Sequence, residues 1–166
     1  MAFPTDSSFF RRFLEELILR PATASHPDLS TASIFVALFK STLTGGGFNL
    51  DTDYGWAAAP TSNYWSTTYE VSIAGNYDSG GKAFNSAPTV TRGSTAAGSI
   101  LSWGVGAVVA WTADTWANPN EAEFALVYDS APATTKWGIA AVNIPTLAPN
   151  GGSSSVTWSS GILTFN

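Results

Sequence analysis

The most constraining feature of this sequence is a pair of apolar segments within residues 121–144 (EAEFALVYDSAPATTKWGIAAVNI). In an extended chain, side chains at alternate positions point to opposite faces. One face of the first segment carries Phe124, Leu126 and Tyr128, and the other carries Ala125 and Val127. Because both faces are apolar, we expect this strand to be covered on both sides. Residues 129–135 (DSAPATT) break the pattern and residues 137–144 resume it, which predicts a hairpin at the centre of a β-sandwich.

Short strand-like segments separated by glycine-rich turns occupy much of the remaining chain. Residues 33–40 (SIFVALFK) are apolar on both faces, whereas residues 68–74 (TYEVSIA) alternate and predict a half-exposed strand with Glu70 on its polar face. Further strands are predicted at residues 82–84, 88–92, 99–103, 107–112, 156–158 and 162–165. This pattern predicts an all-β fold, an antiparallel β-sandwich or jelly roll, with Trp103 and Trp111 filling its interior.

A single convincing helix is predicted, at residues 3–20 near the amino end. Its apolar positions recur at helical spacing and form one wide stripe: Phe9, Phe10, Phe13, Leu14, Leu17 and Ile18. Pro21 ends the pattern. The stripe needs a partner, either the chain's own sandwich or a neighbouring subunit. We therefore divide the chain into a helical arm and linker at residues 1–28 and a β-sandwich domain at residues 29–166.

Composition restricts the classes of partner. The 166 residues carry a formal net charge of −5, and only 11% of them are charged. A nucleic-acid surface needs clustered Lys and Arg, and the seven basic residues form no stripe, so we expect no nucleic-acid partner. No apolar run is long enough to cross a bilayer, so no membrane partner is expected. The 45% hydrophobic content suggests apolar surface hidden against other chains, although an aromatic-rich core in a monomer is the alternative.

A long irregular segment, residues 43–68, is rich in aromatic side chains without any period. Loops of this length in compact domains are usually functional or make contacts. Its aromatic residues are Phe48, Tyr54, Trp56, Tyr64 and Trp65. They could form an interface with another chain, fold back to cap the domain's own core, or stack on sugar rings.

Signals for chemistry are weak throughout the chain. The sole histidine, His26, lies beside Pro27 with no metal-ligand spacing around it, and cysteine is absent. Gly80-Gly81 is followed by neither a Lys-Ser/Thr pair nor a helical pattern, so it predicts a bend and not a phosphate cradle. The candidate acids for hydrolysis are Asp51, Asp53, Asp78, Asp114, Glu121 and Glu123, each at a position typical of a solvated acid. Asp51 and Asp53 lack the rest of a calcium loop. We predict no catalytic, cofactor-binding or metal-binding residues.

The order of the segments resembles a family of small tailed-bacteriophage virion proteins, whose members are head decoration or cement proteins, minor tail proteins and tail-fibre-like proteins. The resemblance is carried by the amino-terminal helix and its Thr/Ala/Pro linker and by five strand motifs: SIFVALFKS from Ser33, YEVSIAGNYDSGG from Tyr69, AEFALVYDSA from Ala122, WGIAAVNI from Trp137 and VTWSSGILTFN from Val156. These pieces cover about half the chain. The sequence departs from the family in a longer aromatic loop at residues 44–68 and in extra residues between Val71 and Gly75.

What the resemblance implies is a non-enzymatic component of a virion. The leading hypothesis is a cement protein that binds the outer capsid surface as a small homo-oligomer, a trimer, and bridges subunits of the major capsid protein. Contacts with other subunits are then predicted for Phe9, Phe13, Leu17, Tyr54, Trp56, Tyr64 and Trp65. One alternative is a minor tail or tail-fibre component of the virion. Another is a carbohydrate-binding β-sandwich, and an enzyme would require hydrolysis of a cell-envelope polymer that depends on Asp51 or Asp53.

Overall fold

The computed structural model describes residues 8–9, 29, 33–40, 70–71, 77, 80–95, 98–104, 106–112, 121–130, 137–148, 151–159 and 162–165. All regular elements within these ranges are β-strands, and no helix occurs among them. The strands are β1 (Ser8–Phe9), β2 (Ile34–Lys40), β3 (Lys82–Ala83), β4 (Val90–Thr95), β5 (Gly98–Trp103), β6 (Ala107–Trp111), β7 (Ala122–Asp129), β8 (Trp137–Leu147), β9 (Ser154–Trp158) and β10 (Leu163–Phe165). The prediction of an all-β fold is confirmed for this part of the chain.

The described strands form three antiparallel sheets. The largest has five strands in the order β1-β8-β7-β2-β3, and the others are β10-β5-β4 and β6-β9. The predicted central hairpin is confirmed, because β7 and β8 pair along most of their length. β2 pairs with the other side of β7 over its whole length, from Ile34 opposite Asp129 to Lys40 opposite Ala122. The two doubly apolar strands β2 and β7 therefore lie side by side in the middle of the largest sheet.

The hydrophobic core is built on β2 and β7, as their two apolar faces require. In β2 every residue from Val36 to Phe39 is buried, and in β7 every residue from Ala125 to Asp129 is buried. Consecutive buried positions mean that both faces of each strand are covered, which confirms the prediction for these segments. At about 25 cal/mol per Å² of buried apolar surface, this strand pair contributes substantially to the hydrophobic stabilisation of the described part.

Aromatic side chains pack the β6-β9 sheet onto the core of the largest sheet. The Trp111 ring of β6 stacks on Tyr77 with 6.2 Å between ring centroids, and Trp158 of β9 meets the Phe84 ring edge-on at 5.3 Å. Trp103 and Trp111 are 3% and 1% exposed, so both lie in the interior as predicted. Trp103 also donates its indole N–H to the backbone oxygen of Leu29 at 2.9 Å, which satisfies its one polar group.

β8 contains an irregularity at which its pairing with β7 changes register. Phe124 of β7 lies opposite Asn143, but Ala122, two residues earlier, lies opposite Leu147, four residues later. β8 therefore carries two extra residues in this interval, and Pro145 lies within it. Proline has no N–H for a strand ladder and is confined to edges and bulges, so its place here fits the local geometry.

Two sequence predictions need correction. The helical pattern of residues 3–20 is wrong at Ser8 and Phe9, which form the extended strand β1, because the outer edge of β8 offers backbone partners at Ala141 and Ala140. The other positions of the predicted helix, residues 3–7 and 10–20, lie outside the described ranges. The predicted exposed face for Glu70 is also wrong, because Glu70 is 3% exposed and bridges Phe39 of β2.

Gly81 adopts a positive φ of 75° where the chain passes against the backbone of β2. A Cβ atom at this position would lie 1.9 Å from the carbonyl oxygen of Val36. We predict that Gly81→Ala lowers the free energy of unfolding by roughly 2–5 kcal/mol, the sum of about 1–2 for the left-handed backbone and about 1–3 for overpacking. Urea denaturation measures this loss.

The matched control for this substitution is Gly106→Ala. Gly106 has nearly the same φ of 71°, but a Cβ atom added there would meet no other atom within 4 Å. Only the backbone cost of about 1–2 kcal/mol is then expected. Equal losses in the two variants would contradict the close approach of Gly81 to β2.

Candidate functional site

A buried carboxylate, Glu70, is the centre of the polar contacts inside the core. Its Oε1 accepts a hydrogen bond from the Tyr77 hydroxyl at 2.8 Å and another from the Gly80 N–H at 2.6 Å. Tyr128 of β7 donates its hydroxyl to the carbonyl oxygen of Gly80 at 2.6 Å. We call these four residues, Glu70, Tyr77, Gly80 and Tyr128, the Glu70 cluster. Its hydrogen bonds join the turn before β3 to Tyr77 and to β7.

The Glu70 cluster also completes the outer edge of β2. β3 covers this edge only at Phe35 and Val36, and further along the strand the Tyr77 hydroxyl accepts the Leu38 N–H at 2.8 Å. The carbonyl oxygen of Leu38 accepts the N–H of Val71 at 3.0 Å. An unpaired backbone group in a buried strand costs about as much as a lost hydrogen bond. The Tyr77 hydroxyl and the two residues Glu70 and Val71 thus take the place of a full neighbouring strand.

The electrostatics of the Glu70 cluster keep its phenols protonated. Burial raises the pKa of Tyr77 well above its ordinary value, and the neighbouring Glu70 charge raises it further. Burial and then Glu70 raise the pKa of Tyr128 in the same direction. Each phenol therefore remains a hydrogen-bond donor at neutral pH, which is the role that both play in the contacts above. The arrangement is suited to holding backbone segments together.

A second buried carboxylate, Asp129, closes the end of the β2-β7 ladder. Asp129 is 1% exposed, and its Oδ1 accepts the Ser33 hydroxyl at 2.8 Å. The backbone N–H and the hydroxyl of Ser130 both donate to the carbonyl oxygen of Ser33, each at 2.8 Å. These contacts fix the register of β2 against β7 at the position where β2 begins and β7 ends.

An open groove lies between β8 and β9. It has a volume of about 330 Å³ and is lined by residues 142–145 and 147 of β8 and residues 155–158 of β9. None of these lining residues is ionisable. Within the described sheets β9 pairs with β6 on one side only, and the only strand on the outer side of β8 is β1, at Ala140 and Ala141. The groove is thus bounded by the part of β8 that β1 does not cover and by β9, which lies at the margin of its described sheet.

A shallower apolar depression of about 310 Å³ lies beside Trp103. Its lining includes Leu29, Pro88 and Val90. Val90 is 57% exposed, the one large hydrophobic side chain in the described ranges with such exposure. A single exposed apolar residue is ordinary on a protein surface and needs no partner.

Of the residues predicted to contact partners, only Phe9 lies within the described ranges. Phe13, Leu17, Tyr54, Trp56, Tyr64 and Trp65 lie outside the described ranges. The backbone of Phe9 lies in β1, opposite Ala140. The predicted contact surface therefore stays a prediction.

Most of the candidate acids for hydrolysis also lie outside the described ranges. Asp51, Asp53, Asp78 and Asp114 lie outside the described ranges, as does His26. Glu121 and Glu123 are partly buried at the start of β7. Sequence analysis missed the two buried carboxylates, Glu70 and Asp129, because each stands beside polar or turn residues that are typical of a solvated position. The sequence feature that could have revealed them is the low proportion of charged residues. In such a chain, any acid next to a strand that is apolar on both faces is a candidate for burial.

Two kinds of site are absent from the part of the chain that the structure describes. No group of three or more His, Cys, Asp or Glu side chains in these ranges could hold a metal ion. The same ranges contain no helix with the length and apolar character needed to span a membrane.

The two tyrosines of the Glu70 cluster provide a matched pair of substitutions. Tyr77→Phe removes the acceptor of the buried Leu38 N–H and a donor to Glu70, so we expect a loss of about 2–3 kcal/mol in the free energy of unfolding. Tyr128→Phe removes one donor to a carbonyl oxygen, for an expected loss of about 1 kcal/mol. Denaturant unfolding compares the two, and an equal or larger loss in Tyr128→Phe would count against the role assigned to Tyr77.

The raised tyrosine pKa values predict a loss of stability in alkali. A phenol whose pKa is higher in the folded than in the unfolded state contributes stability that is fully present below about pH 10 and is lost as the pH rises further. Above that pH the unfolded chain loses protons that the folded chain keeps. The free energy of unfolding should fall by about 1.4 kcal/mol per pH unit for each such tyrosine. Unfolding curves between about pH 8 and 12 measure this slope, and Tyr77→Phe should reduce it. An identical slope in the variant would show that Tyr77 does not titrate as described.

Comparison with known proteins finds no counterpart for this chain: no family model, no curated protein and no solved structure matches it. The resemblance to phage virion proteins accordingly stays an expectation that rests on the sequence motifs.

Proposed function

We propose that this chain is a non-enzymatic structural component of a tailed-bacteriophage virion. The specific proposal is a cement protein that stabilises the head by bridging major capsid protein subunits at the outer surface. The order of the strand motifs supports it, and four of these motifs contain strands of the core: β2, β7, β8 and β9. We further propose that the sheets form a jelly-roll-like sandwich. In this arrangement the aromatic contacts at Tyr77 and Phe84 join two of the sheets.

The observation that carries the proposal is the uncharged groove between β8 and β9 on a charge-poor chain. Low charge leaves hydrogen bonds and apolar burial as the means of contact with other subunits. A groove of about 330 Å³ without ionisable lining residues suits such a contact. A cement protein adds modest contact area that is repeated over many copies, so weak single interfaces together reinforce a shell.

The partner contacts are proposed to come from outside the β-core. The aromatic insertion contributes Tyr54, Trp56, Tyr64 and Trp65, and the arm contributes Phe9, Phe13 and Leu17. Since Ser8 and Phe9 belong to β1, the amphipathic helix is proposed to follow Phe9, where the apolar positions keep their helical spacing. A trimer would bring three such sets of contacts to the capsid surface.

Copy number in purified particles tests the location. A cement protein should occur in a fixed stoichiometric ratio to the major capsid protein, measurable by quantitative mass spectrometry of intact virions. A few copies per particle would reject the cement role and favour a tail component. Absence of the chain from virions would reject the whole proposal.

A rebinding assay tests the contact residues. We expect purified Trp56→Ala protein to rebind roughly tenfold more weakly than the unsubstituted protein to particles stripped of this component, because interface tryptophans carry a large share of binding energy. The control is Val90→Ala, which removes an exposed apolar side chain outside the proposed contact surface and should rebind normally. Equal binding of both variants would contradict the assignment of Trp56.

A further inference from the structure

Two buried polar atoms belong to directly opposed residues of the β6-β9 pair. They are the indole Nε1 of Trp111 and the hydroxyl Oγ of Ser154. In the part of the chain that the structure describes, these are the two buried side-chain nitrogen or oxygen atoms without a hydrogen-bond partner. Trp111 lies directly opposite Ser154 in the register of the strands, and directly opposed residues of an antiparallel pair have side chains on the same face of the sheet. The two atoms therefore lie at one place in the fold.

The alternation of β9 brings the serine hydroxyl onto the buried face of the strand. Val156 and Trp158, at the next alternate positions, are each 8% exposed, and the residues opposite them on β6, Val109 and Ala107, are buried as well. Ser154 begins this row, at the first position of β9. A buried N–H or hydroxyl without a hydrogen-bond partner lowers stability, so two such groups side by side need a common explanation.

The chemistry of the two groups indicates what binds them. An indole N–H can only donate a hydrogen bond, whereas a serine hydroxyl can both donate and accept. The two side chains do not bond to each other, because neither Trp111 Nε1 nor Ser154 Oγ has any partner. A group that serves both must accept from the indole and bond to the hydroxyl. A water molecule can do so, whereas a buried ion would need a paired charge to offset its desolvation.

We propose that Trp111 and Ser154 together bind one buried water molecule. The water accepts the indole N–H and donates to the serine Oγ. Buried waters make about two to four hydrogen bonds, mostly to groups that have no protein partner, and this pair supplies two. The residues next to the pair in the chain, Thr112 and Ser153, are exposed, so the path from solvent to the site is short. The binding site does not depend on a role in a virion.

The bound water holds the indole ring of Trp111 in the orientation that packs the β6-β9 sheet on the core. This ring stacks on Tyr77 with 6.2 Å between centroids. Tyr77 in turn bonds to Glu70 and to the Leu38 N–H at the outer edge of β2. A rotation of the indole away from Tyr77 would also break its hydrogen bond to the water. The water is thus a positioning ligand at the end of the β6-β9 pair.

A crystal structure of the unsubstituted protein, at a resolution that shows ordered water, tests the site directly. One water should lie within about 3.2 Å of both the Trp111 Nε1 and the Ser154 Oγ. Three results would overturn the proposal: a direct hydrogen bond between the two side chains, a protein atom bonded to either of them, or no water that contacts both.

Water-selected NMR measures the same contact in solution, and Trp103 is the matched control. The indole of Trp103 is also buried, but its N–H donates to the backbone oxygen of Leu29. A dipolar cross-peak with water is expected for the indole N–H of Trp111 and not for that of Trp103. No cross-peak at Trp111, or equal cross-peaks at both tryptophans, would contradict the proposed site.

A pair of serine variants tests the second partner of the water. Ser154→Ala removes one of the two groups that hold it, so the Trp111 cross-peak should weaken roughly fivefold, as expected for the loss of about one net hydrogen bond. Ser155→Ala removes an exposed hydroxyl at the next position of β9 and should leave the cross-peak unchanged. Equal effects of the two variants would show that Ser154 does not hold the water.

Discussion

The outer edge of β2 is the constraint on which the rest of the described structure depends. β2 is buried on both faces, so every backbone group on its edges must find a partner within the protein. β7 satisfies one edge completely, but β3 is too short to satisfy the other. Both backbone groups of Leu38 on this edge are satisfied by other parts of the chain. Its N–H donates to the Tyr77 hydroxyl, and its carbonyl oxygen accepts the N–H of Val71. Separate pieces of the chain thus complete an edge that one long strand would otherwise cover.

This way of completing the edge helps to explain why two carboxylates are buried in the described part of a chain with so few charges. Glu70 receives hydrogen bonds from Tyr77 and Gly80, and Asp129 receives one from Ser33. Hydrogen bonds to the charged form offset part of the cost of removing a carboxylate from water. Each acid can therefore fix the position of several segments at once, Glu70 at the outer edge of β2 and Asp129 at the end of the β2-β7 ladder.

The local sequence pattern predicts those parts of the fold that depend on neighbouring residues in the chain and not on distant contacts. Runs that are apolar on both faces identify β2 and β7 as the central strands, and large aromatic residues between turns identify Trp103 and Trp111 as interior. The burial of Glu70 could not be predicted, because it depends on Tyr77, Gly80 and Tyr128, which reach it through tertiary packing. Gly80-Gly81 is identifiable as a bend, but its contact with Val36 depends on which strand the bend passes. The extended conformation at Ser8 and Phe9 likewise depends on the edge of β8, a partner far away in sequence.

The contacts of the core also position the groove between β8 and β9. β8 and β9 form its walls because the β7-β8 hairpin is anchored on β2, so the groove relies on the edge contacts at Leu38 only through the core.

Native-state hydrogen exchange at the Leu38 amide tests the central claim most directly. If the Tyr77 hydroxyl and the Glu70 cluster complete the buried edge of β2, this amide should exchange only when the whole domain unfolds. Its opening free energy should then equal the global free energy of unfolding and fall with denaturant at the same slope. Exchange through a local opening of much lower free energy, insensitive to denaturant, would contradict the account.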